Sequence, residues 1–399
     1  MEKKQTGAKE TMKKISGCIF VGAILLVLVL GFVQTVFFPV EMTAYENRYA
    51  NKIAPFTMEG YMDGSFQESV DTALGDQVTL ADQFKKVFQE GSSYSLRLLS
   101  KPIINLEYFK THYFGLGYSR IFGGTNLVYG TYPESRTAEL DVKIEDYNQV
   151  FERFPETDFY MYYIEKETDL NLETNKKVNF YEYIRDRLDL PKERMRCFTV
   201  NNFEEFRTYF YKTDHHWNHV GSYKGYTEVA ELLGVDEELL KPQETAKLSD
   251  SFSGSKATSY FSTYSEEFIA HRFEFPEMTV QVNSAPAVDY GQQDGFFSHQ
   301  ATDPTYGAFY GWDFGEIIFS TNRPEKKSIL VIGESYDNAI LKLLASHYDC
   351  TYSIDLRYYE PTMQKPFSLS AYLDEHEIDQ VLLIGNIDYY LMSEFMLGE

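Results

Sequence analysis

The pattern of apolar and polar positions along this chain changes character twice. A segment without any charged residue extends over 15–40 and contains the apolar run IFVGAILLVLVLGFV. From 65 to about 100, apolar positions recur at helical spacing, as in LADQFKKVF. Beyond that point, short apolar runs alternate with amphipathic segments, which predicts strands alternating with helices.

The last eighty residues show this alternation most clearly. Three predominantly apolar runs, SILVIG, TYSIDL and QVLLIG, are separated by the helical patterns SYDNAILKLLASHY and SAYLDEHEI. Such an order is typical of a parallel sheet that helices flank on both faces. Upstream, the strand patterns DFYMYYI and RMRCFTV follow helical patterns in the same way. We therefore predict an α/β domain over 101–399, with a β-rich insertion at about 237–322.

The N-terminal segment predicts a membrane anchor. Five lysines lie within 1–14, and the uncharged segment 15–40 is long enough to cross a bilayer as a helix. The cationic flank stays in the cytoplasm, so the bulk of the chain would be extracellular. The residues after the apolar run are too bulky for a signal-peptidase site. These features predict a cytoplasmic basic tail at 1–14, a single-pass transmembrane signal anchor at 15–40 in the cell membrane, and a membrane-proximal helical lead-in at 41–100.

Composition and charge narrow the possible partners. Of the 399 residues 16% are aromatic, which indicates a packed globular body. The formal net charge of −23 disfavours nucleic acid as a partner, because phosphate contacts need a basic surface, and we expect no nucleic-acid partner. Three cysteines, Cys18, Cys197 and Cys350, are too few for a disulfide framework and lack metal spacing. Cys197 and Cys350 would pair only if the fold brought them together, and we expect two free thiols.

The stretch TDHHWNHVG at 213–221 is the first candidate for chemistry. His215 and His219 stand four residues apart, as in a zinc-binding helix, but no glutamate base lies between them and no third ligand cluster follows. In an extended loop, Asp214 and His216 point to the same side. Asp214 would then orient the His216 ring, as the acid does in a Ser-His-Asp triad. The alternative is a hydrogen-bonded turn that caps the helix beginning near Asn218.

Ser335 is the candidate nucleophile. It lies where the strand pattern SILVIG meets a helical pattern, so its hydroxyl would be placed near helix N-terminal amides. In a parallel sheet such a loop lies beyond the strand's carboxyl end, where ligands bind. Gly385-Asn386-Ile387-Asp388 follows another strand at the same edge. The alternative role for Ser335 is that of a helix N-cap.

These residues carry a family resemblance. KTDHHWNHVGSYKGY, together with VIGESYDNAILKLLASHYDCTYSIDLRYY, resembles the DHHW-motif family of Gram-positive bacterial surface proteins. That family is similar to the SGNH-hydrolase-like domains of alginate O-acetyltransferases, whose motif is a shorter Asp-x-His-Trp. ENRYANKIAPF, after the apolar run, also resembles the segment that opens these proteins. The resemblance implies an SGNH-hydrolase-like parallel sheet flanked by helices, in which the Asp-x-His element precedes the serine element.

The resemblance also implies roles for individual residues. His216 would be the base, Asp214 its orienting acid and Ser335 the nucleophile. Asn386, which matches the asparagine of the family's Gly-x-Asn-Asp block, would donate to the oxyanion. Further oxyanion and substrate contacts are expected from three residues, namely Tyr336, Arg357 and His215. For Arg357, the alternative is a buried structural ion pair. Two departures stand out: the serine loop reads Gly-Glu-Ser, with Glu334 where aspartate is usual, and no glycine occurs between Ser335 and Gly385.

By this resemblance, the expected function is that of a membrane-anchored O-acyltransferase, transferring an acetyl group, or an acetylesterase. Its substrate would be a cell-surface polysaccharide. A polytopic membrane-bound O-acyltransferase would deliver the acyl donor, because acetyl-coenzyme A is absent outside the cell. The triad requires no cofactor and no metal. The alternative is a non-catalytic glycan-binding or assembly factor of a polysaccharide modification system.

Overall fold

The computed structural model describes most of the chain from residue 136 to residue 392. The described residues there are 136–171, 176–259, 265–287, 290–291 and 305–392. Upstream, it describes 17, 19–22, 25–26, 29–35, 37–40, 42–43, 48–77, 81–85, 87–88, 91, 120–122 and 126–128. The chain divides into two compact units, Met1–Arg97 and Leu98–Glu399.

The first unit consists of short helices and a strand pair. Its elements are β1 (Met42–Thr43), β2 (Arg48–Tyr49), α1 (Met58–Asp63) and α2 (Ser65–Gln77). Thr57 caps α1 by accepting from the Gly60 amide, and Gly64 ends that helix in the left-handed region at a φ of 89°. The predicted basic tail lies outside the described residues. Where the structure is described, it contains no helix of the length and apolarity that crossing a membrane would require.

The second unit is a mixed α/β fold around an eight-stranded sheet. In spatial order, the sheet runs β12-β11-β13-β15-β14-β16-β5-β8. The strands are β5 (Asp158–Ile164), β8 (Met195–Phe198), β11 (Thr279–Val282), β12 (Ala285–Pro286), β13 (Glu316–Ser320), β14 (Ile329–Ile332), β15 (Cys350–Ile354) and β16 (Gln380–Gly385). Five of them, from β15 to β8, are parallel, and β13, β11 and β12 extend the sheet with antiparallel pairing.

Helices and three strand pairs complete the unit. The helices are α3 (Thr137–Arg153), α4 (Phe180–Arg185), α5 (Phe203–Tyr209), α6 (His219–Leu232), α7 (Ser255–Ser259), α8 (Tyr306–Tyr310), α9 (Asn338–Ala345), α10 (Leu356–Met363), α11 (Leu369–His376) and α12 (Ile387–Tyr390). The strand pairs are β3 (Arg120–Phe122) with β4 (Asn126–Val128), β6 (Leu170–Asn171) with β7 (Lys176–Lys177), and β9 (Glu244–Phe252) with β10 (Glu266–Arg272).

The central strands are buried on both faces. In β14, Ile329 and Val331 join one hydrophobic cluster, which α6 and α9 complete, whereas Leu330 and Ile332 join the cluster on the opposite face with α3. All four side chains are buried. Polar residues therefore do not alternate with apolar ones along this strand, because helices cover both of its faces. The strands and helices predicted around it are confirmed.

The segment 237–322 is integrated into the fold more closely than the predicted insertion. It contains β-strands, but β11, β12 and β13 pair with the central sheet, and β13 lies directly against β15. Among the described strands of this segment, β9 and β10 are the ones that pair separately from the central sheet. Antiparallel strands need no long helical crossover, and β11 and β12 are accordingly joined by a short turn. Cys197 on β8 and Cys350 on β15 are free thiols.

Parallel pairing places four strand ends at one edge of the sheet. The loops that follow β5, β14, β15 and β16 begin at Glu165, Gly333, Asp355 and Asn386. Since parallel strands share their direction, these loops lie at a common edge. That edge carries the candidate site.

Candidate active site

The DHHW stretch forms a tight loop between α5 and α6. Phe210 and Trp217 form an isolated antiparallel bridge, and the amide of Tyr211 donates to the carbonyl oxygen of His216 over 3.2 Å. Asn218 then caps α6, because its side chain accepts from the amides of Val220 and Gly221. Capping is therefore performed by Asn218, and the side chains of Asp214 and His216 remain available for other contacts.

Trp217 anchors this loop to α6. The indole is fully buried, and it packs against the helix where Gly225 stands. A Cβ at Gly225 would lie 2.5 Å from the Trp217 ring, and one at Gly221 would lie 3.0 Å from the Trp217 Cβ. Gly225 therefore makes room for the Trp217 ring, whereas Gly221 is required mainly because a Cβ there would lie 2.2 Å from the Tyr209 carbonyl oxygen.

The structure brings Asp214, His216 and Ser335 into one hydrogen-bonded chain. The Asp214 Oδ1 lies 2.5 Å from His216 Nδ1, and His216 Nε2 lies 2.7 Å from Ser335 Oγ. A carboxylate only accepts, so the proton of the neutral imidazole is on Nδ1 and Nε2 can accept from the serine hydroxyl. All three side chains are buried. This is the geometry that a serine nucleophile and its general base require.

Asp214 is held from several directions. Its Oδ1 accepts from the His216 amide over 3.0 Å, and its Oδ2 accepts from the Ser255 amide over 2.7 Å. Burial by itself would raise the pKa of Asp214, but the His216 and His215 imidazoles and these hydrogen bonds hold it well below its usual range. The carboxylate therefore stays ionised beside the base.

Two rings enclose the His216 imidazole. Tyr306 of α8 stacks on one face, with ring centroids 3.8 Å apart and an interplanar angle of 4°. The His215 ring is also in contact, with its centroid 3.8 Å from that of His216 and an interplanar angle of 37°. Tyr336, directly after the serine, donates its hydroxyl hydrogen to the His215 carbonyl oxygen. These contacts restrict rotation of the base away from Ser335.

The serine loop has the conformation of a strand-to-helix turn. Asp337, not Ser335, is the residue that precedes α9, and the Ser335 hydroxyl is directed to His216. A Cβ at Gly333 would approach to 2.9 Å from Ile384 of the neighbouring strand, which accounts for glycine there. The backbone N–H groups of Ser335 and Tyr336 donate to no acceptor among the described residues. They are therefore free to bind an anionic oxygen.

Asn386 and Arg357 make other contacts than those expected of oxyanion donors. The Asn386 side-chain amide donates to Glu334, and its oxygen accepts from the Asp388 amide over 2.8 Å. Arg357 donates to both carboxylate oxygens of Asp355, with Nε 2.9 Å from Oδ1. Its Nη1 is 3.9 Å from Glu334. Glu334, the unusual residue of the serine loop, thus links these two residues to the loop and is itself buried.

Sequence reasoning missed the loop Glu165–Asp169, which we call the acidic loop. Its five residues, Glu-Lys-Glu-Thr-Asp, are all buried although each is polar. Its ionic partners are Lys177 for Glu165, Asp388 for Lys166 and Lys256 for Glu167. A signal was present in the sequence, because five consecutive polar residues directly follow a buried strand, at the edge where the nucleophile lies.

Tyr306 and Ser255 were also missed. Ser255 fixes both residues of the pair Asp214 and His215: its amide donates to the former, and its hydroxyl lies 2.5 Å from Nδ1 of the latter. Neither residue belongs to a recognisable motif, and along the chain Ser255 lies 39 positions from His216 and Tyr306 lies 29 positions from Ser335. Only the fold brings them to the site.

Asp214, His215 and His216 also form a group whose ligand atoms lie within 4.8 Å of one another, which would suit a metal ion. In the structure, however, both ring nitrogens of His216 are engaged, Nδ1 with Asp214 and Nε2 with Ser335. A metal at His216 would have to displace one of these hydrogen bonds. The arrangement therefore favours proton transfer between side chains.

The fold and the motif have relatives. The structure of Bacillus cereus PatB1 with a sulfonyl adduct is similar, with a TM-score of 0.52 and 18% identity over 70% of this chain and 97% of that chain. A second structure of Bacillus cereus PatB1 has a TM-score of 0.52 and 17% sequence identity, and the match covers 69% of this chain and 97% of that chain. A DHHW family protein from Eubacterium siraeum has a TM-score of 0.47 and 16% sequence identity, and the match covers 70% of this chain and 95% of that chain. No curated protein sequence matches this chain.

The likeness to PatB1 shows a shared fold. The model of the DHHW protein family matches residues 165–354, a span that begins at the acidic loop and includes Asp214, His216 and Ser335. The resemblance predicted from the sequence is therefore confirmed: over residues 165–354, this chain matches the DHHW protein family.

Proposed function

We propose that this protein is a serine-dependent O-acyltransferase or acetylesterase that acts on a cell-surface glycan through the triad Ser335, His216 and Asp214. The observation that carries the proposal is the unbroken hydrogen-bonded chain from Asp214 Oδ1 through His216 to Ser335 Oγ. An SGNH-hydrolase-like fold in permuted order, as the family resemblance implies, is part of the same proposal.

Acylation would begin at the serine. His216 Nε2 takes the hydroxyl proton as Ser335 Oγ attacks the acetyl carbonyl carbon, and Asp214 stabilises the imidazolium that forms. The tetrahedral oxyanion binds to the N–H groups of Ser335 and Tyr336, which have no acceptor among the described residues. His216 then protonates the leaving group, which leaves an acetyl ester on the serine.

The second half-reaction decides between the two activities. An acceptor hydroxyl, from a sugar or from water, attacks the ester while His216 takes its proton. The bond to Ser335 Oγ breaks and the proton passes from His216 to that oxygen. A sugar acceptor gives transfer, and water gives hydrolysis.

The proposal extends to the setting of the reaction. The basic residues of 1–14 and the uncharged segment 15–40 support a single-pass anchor that would hold the catalytic unit at the outer face of the cell membrane. The acyl donor would then come from a polytopic membrane-bound O-acyltransferase. Fusing a reporter enzyme that is active only outside the cytoplasm to the C-terminus tests the orientation, and an inactive fusion would contradict it.

The catalytic proposal is tested by covalent labelling of the full-length protein. After incubation with p-nitrophenyl acetate, intact mass should show one acetyl adduct that peptide mapping places on Ser335. A sulfonyl fluoride should modify the same residue, a reagent choice that the sulfonyl adduct of Bacillus cereus PatB1 suggests. Ser335→Ala should abolish both adducts, and His216→Ala should slow them strongly.

Ser251, an exposed serine of β9, provides the internal control, because its peptide should stay unmodified. If neither reagent modifies Ser335 in a folded sample, the enzyme proposal fails. The non-catalytic glycan-binding alternative would then be favoured, with Glu334 in the serine loop as the feature that distinguishes this chain from the usual Gly-Asp-Ser pattern.

A further inference from the structure

The mechanism above uses one histidine of the DHHW stretch and leaves its neighbour, His215, unassigned. The His215 side chain is 31% exposed, whereas that of His216 is 2% exposed. Its Nδ1 lies 2.5 Å from Ser255 Oγ, and its Nε2 has no partner among the described residues. An accessible imidazole nitrogen therefore lies beside the catalytic base.

The Nδ1 atoms of the two imidazoles both lie near the Asp214 carboxylate. Both Nδ1 atoms face one carboxylate oxygen, Asp214 Oδ1, at 2.5 Å from His216 and 3.8 Å from His215. Within each ring Nε2 is separated from Nδ1 by Cε1, so neither Nε2 takes part in the Nδ1 contacts with Asp214 and Ser255. The ring centroids are 3.8 Å apart, so the two Nε2 atoms lie within a few ångström of each other. One of them is in contact with Ser335.

The protonation state of His215 suits an acceptor. Burial and the adjacent His216 lower the pKa of His215 well below its usual range, so the ring is neutral. The nearby Asp214 carboxylate favours the tautomer with its proton on Nδ1, where Ser255 Oγ can accept it. Nε2 then carries a lone pair, which binds a hydroxyl hydrogen.

We propose that His215 and His216 together recognise a vicinal diol of the acceptor, with His215 Nε2 accepting a hydrogen bond from the hydroxyl next to the one that attacks. The inference rests on the proposed function, because it concerns the second half-reaction. The attacking oxygen bonds to the acetyl carbon and its proton passes to His216 Nε2. The bond to Ser335 Oγ then breaks, and His216 returns the proton to that oxygen. His215 exchanges no proton in this step.

Neighbouring hydroxyls are the common feature of sugar rings, so this pair would select a carbohydrate acceptor over an isolated alcohol. Water offers no second hydroxyl at the required spacing. Binding at His215 would therefore favour transfer over hydrolysis, as an extra hydrogen bond made only by the correct acceptor does.

The experiment measures acceptor choice by the acetylated full-length protein. Acetyl enzyme formed with p-nitrophenyl acetate is offered cis-1,2-cyclohexanediol or cyclohexanol, and the acetylated products are quantified. The diol should exceed the mono-ol by more than its two-to-one ratio of hydroxyls. His215→Phe, which keeps a stacked ring, should reduce this preference about two- to tenfold, the effect of losing one hydrogen bond.

Two further variants complete the test. Ser255→Ala should lower the preference part of the way, because the His215 ring loses the hydroxyl that orients it. His271→Phe is the matched control: this histidine of β10 contacts His219 and Tyr223, and its loss should leave the preference unchanged.

The outcomes separate the two proposals. If Ser335 is acetylated but the parent protein shows no diol preference, or His215→Phe keeps it, the role of His215 is wrong and the enzyme proposal stands. If the parent protein forms no acetyl adduct, both are overturned.

Discussion

Asp214 determines which nitrogen of His216 carries the proton. An ionised carboxylate at 2.5 Å requires the proton on Nδ1 and leaves Nε2 to accept from Ser335. Asp214→Asn would present an amide that can donate to Nδ1 and so favour the opposite tautomer. We expect the rate of acetyl-adduct formation to fall by about 10⁴-fold, as when the triad acid is replaced elsewhere. Asp250→Asn, an exposed carboxylate of β9, is the matched control and should keep the parent rate.

Gly254 is required at its position because of the same carboxylate. A Cβ there would lie 2.6 Å from Asp214 Oδ2, so any side chain would displace the acid or the loop that binds it. Gly254→Ala should lower the adduct rate by roughly 10²-fold, the cost of a misplacement of about 1 Å in an active site. Gly75→Ala in α2, where nothing lies within 4 Å of the added Cβ, should have no effect. An unchanged rate in Gly254→Ala would mean that Asp214 does not need this fixed position.

At the scale of elements, a buried ion pair joins the acidic loop to α7. Lys256 Nζ contacts Glu167, and the two side chains are 1% and 0% exposed. The residue before the lysine is Ser255, whose amide holds Asp214. Loops from two distant parts of the chain are thereby tied together behind the triad.

Removing one partner of this pair would leave an unpaired charge in the core. Lys256→Met should lower the free energy of unfolding by about 3–5 kcal/mol, whereas Lys256→Met combined with Glu167→Leu should recover most of it. Urea unfolding monitored by tryptophan fluorescence measures both. If the double variant is as unstable as the single one, the loss comes from packing and the pair does not act as a unit.

The pH dependence of stability is a property of the whole molecule, because several buried groups titrate. Burial and the neighbouring His271 lower the pKa of His219 to about 4, against about 6.5 in an unfolded chain. Between these values the unfolded chain binds a proton that the folded protein does not. The contribution of His219 is therefore constant above about pH 6.5, and stability is lost as pH falls from there to about 4.

His219→Gln should remove this loss. Burial raises the pKa of Asp169 to about 7, so this residue changes stability in the opposite direction over an overlapping pH range. The pH dependence of the parent protein therefore reports the sum of both effects. The difference in unfolding temperature between variant and parent isolates the contribution of His219. As pH falls from 6.5 to 4, the variant should become more stable relative to the parent. A difference that stays constant with pH would show that His219 is accessible to protons in the folded state.

The sequence by itself determined the elements and the three residues of the hydrogen-bonded chain. SILVIG and QVLLIG could be recognised as strands because a strand buried on both faces is apolar at nearly every position. The DHHW stretch could be recognised because its residues are close together along the chain. Asp214 and His216 are two positions apart, so an extended loop is enough to align them. Ser335 could be placed beside them because a strand-to-helix turn at the edge of a parallel sheet is predictable from pattern.

Tertiary structure decided everything that depends on contacts between distant segments. The acidic loop drew no prediction from the sequence, because five polar residues in a row do not reveal that Lys177, Asp388 and Lys256 will pair with them inside the fold. The sequence predicted Asn386 and Arg357 as oxyanion donors, with an ion pair as the alternative for Arg357, but it did not indicate that Glu334 would engage the first and Asp355 the second. Residue types along a chain indicate which chemistry is available, but only the packed molecule specifies which partner each polar group has, because partner choice depends on distances that sequence order does not set.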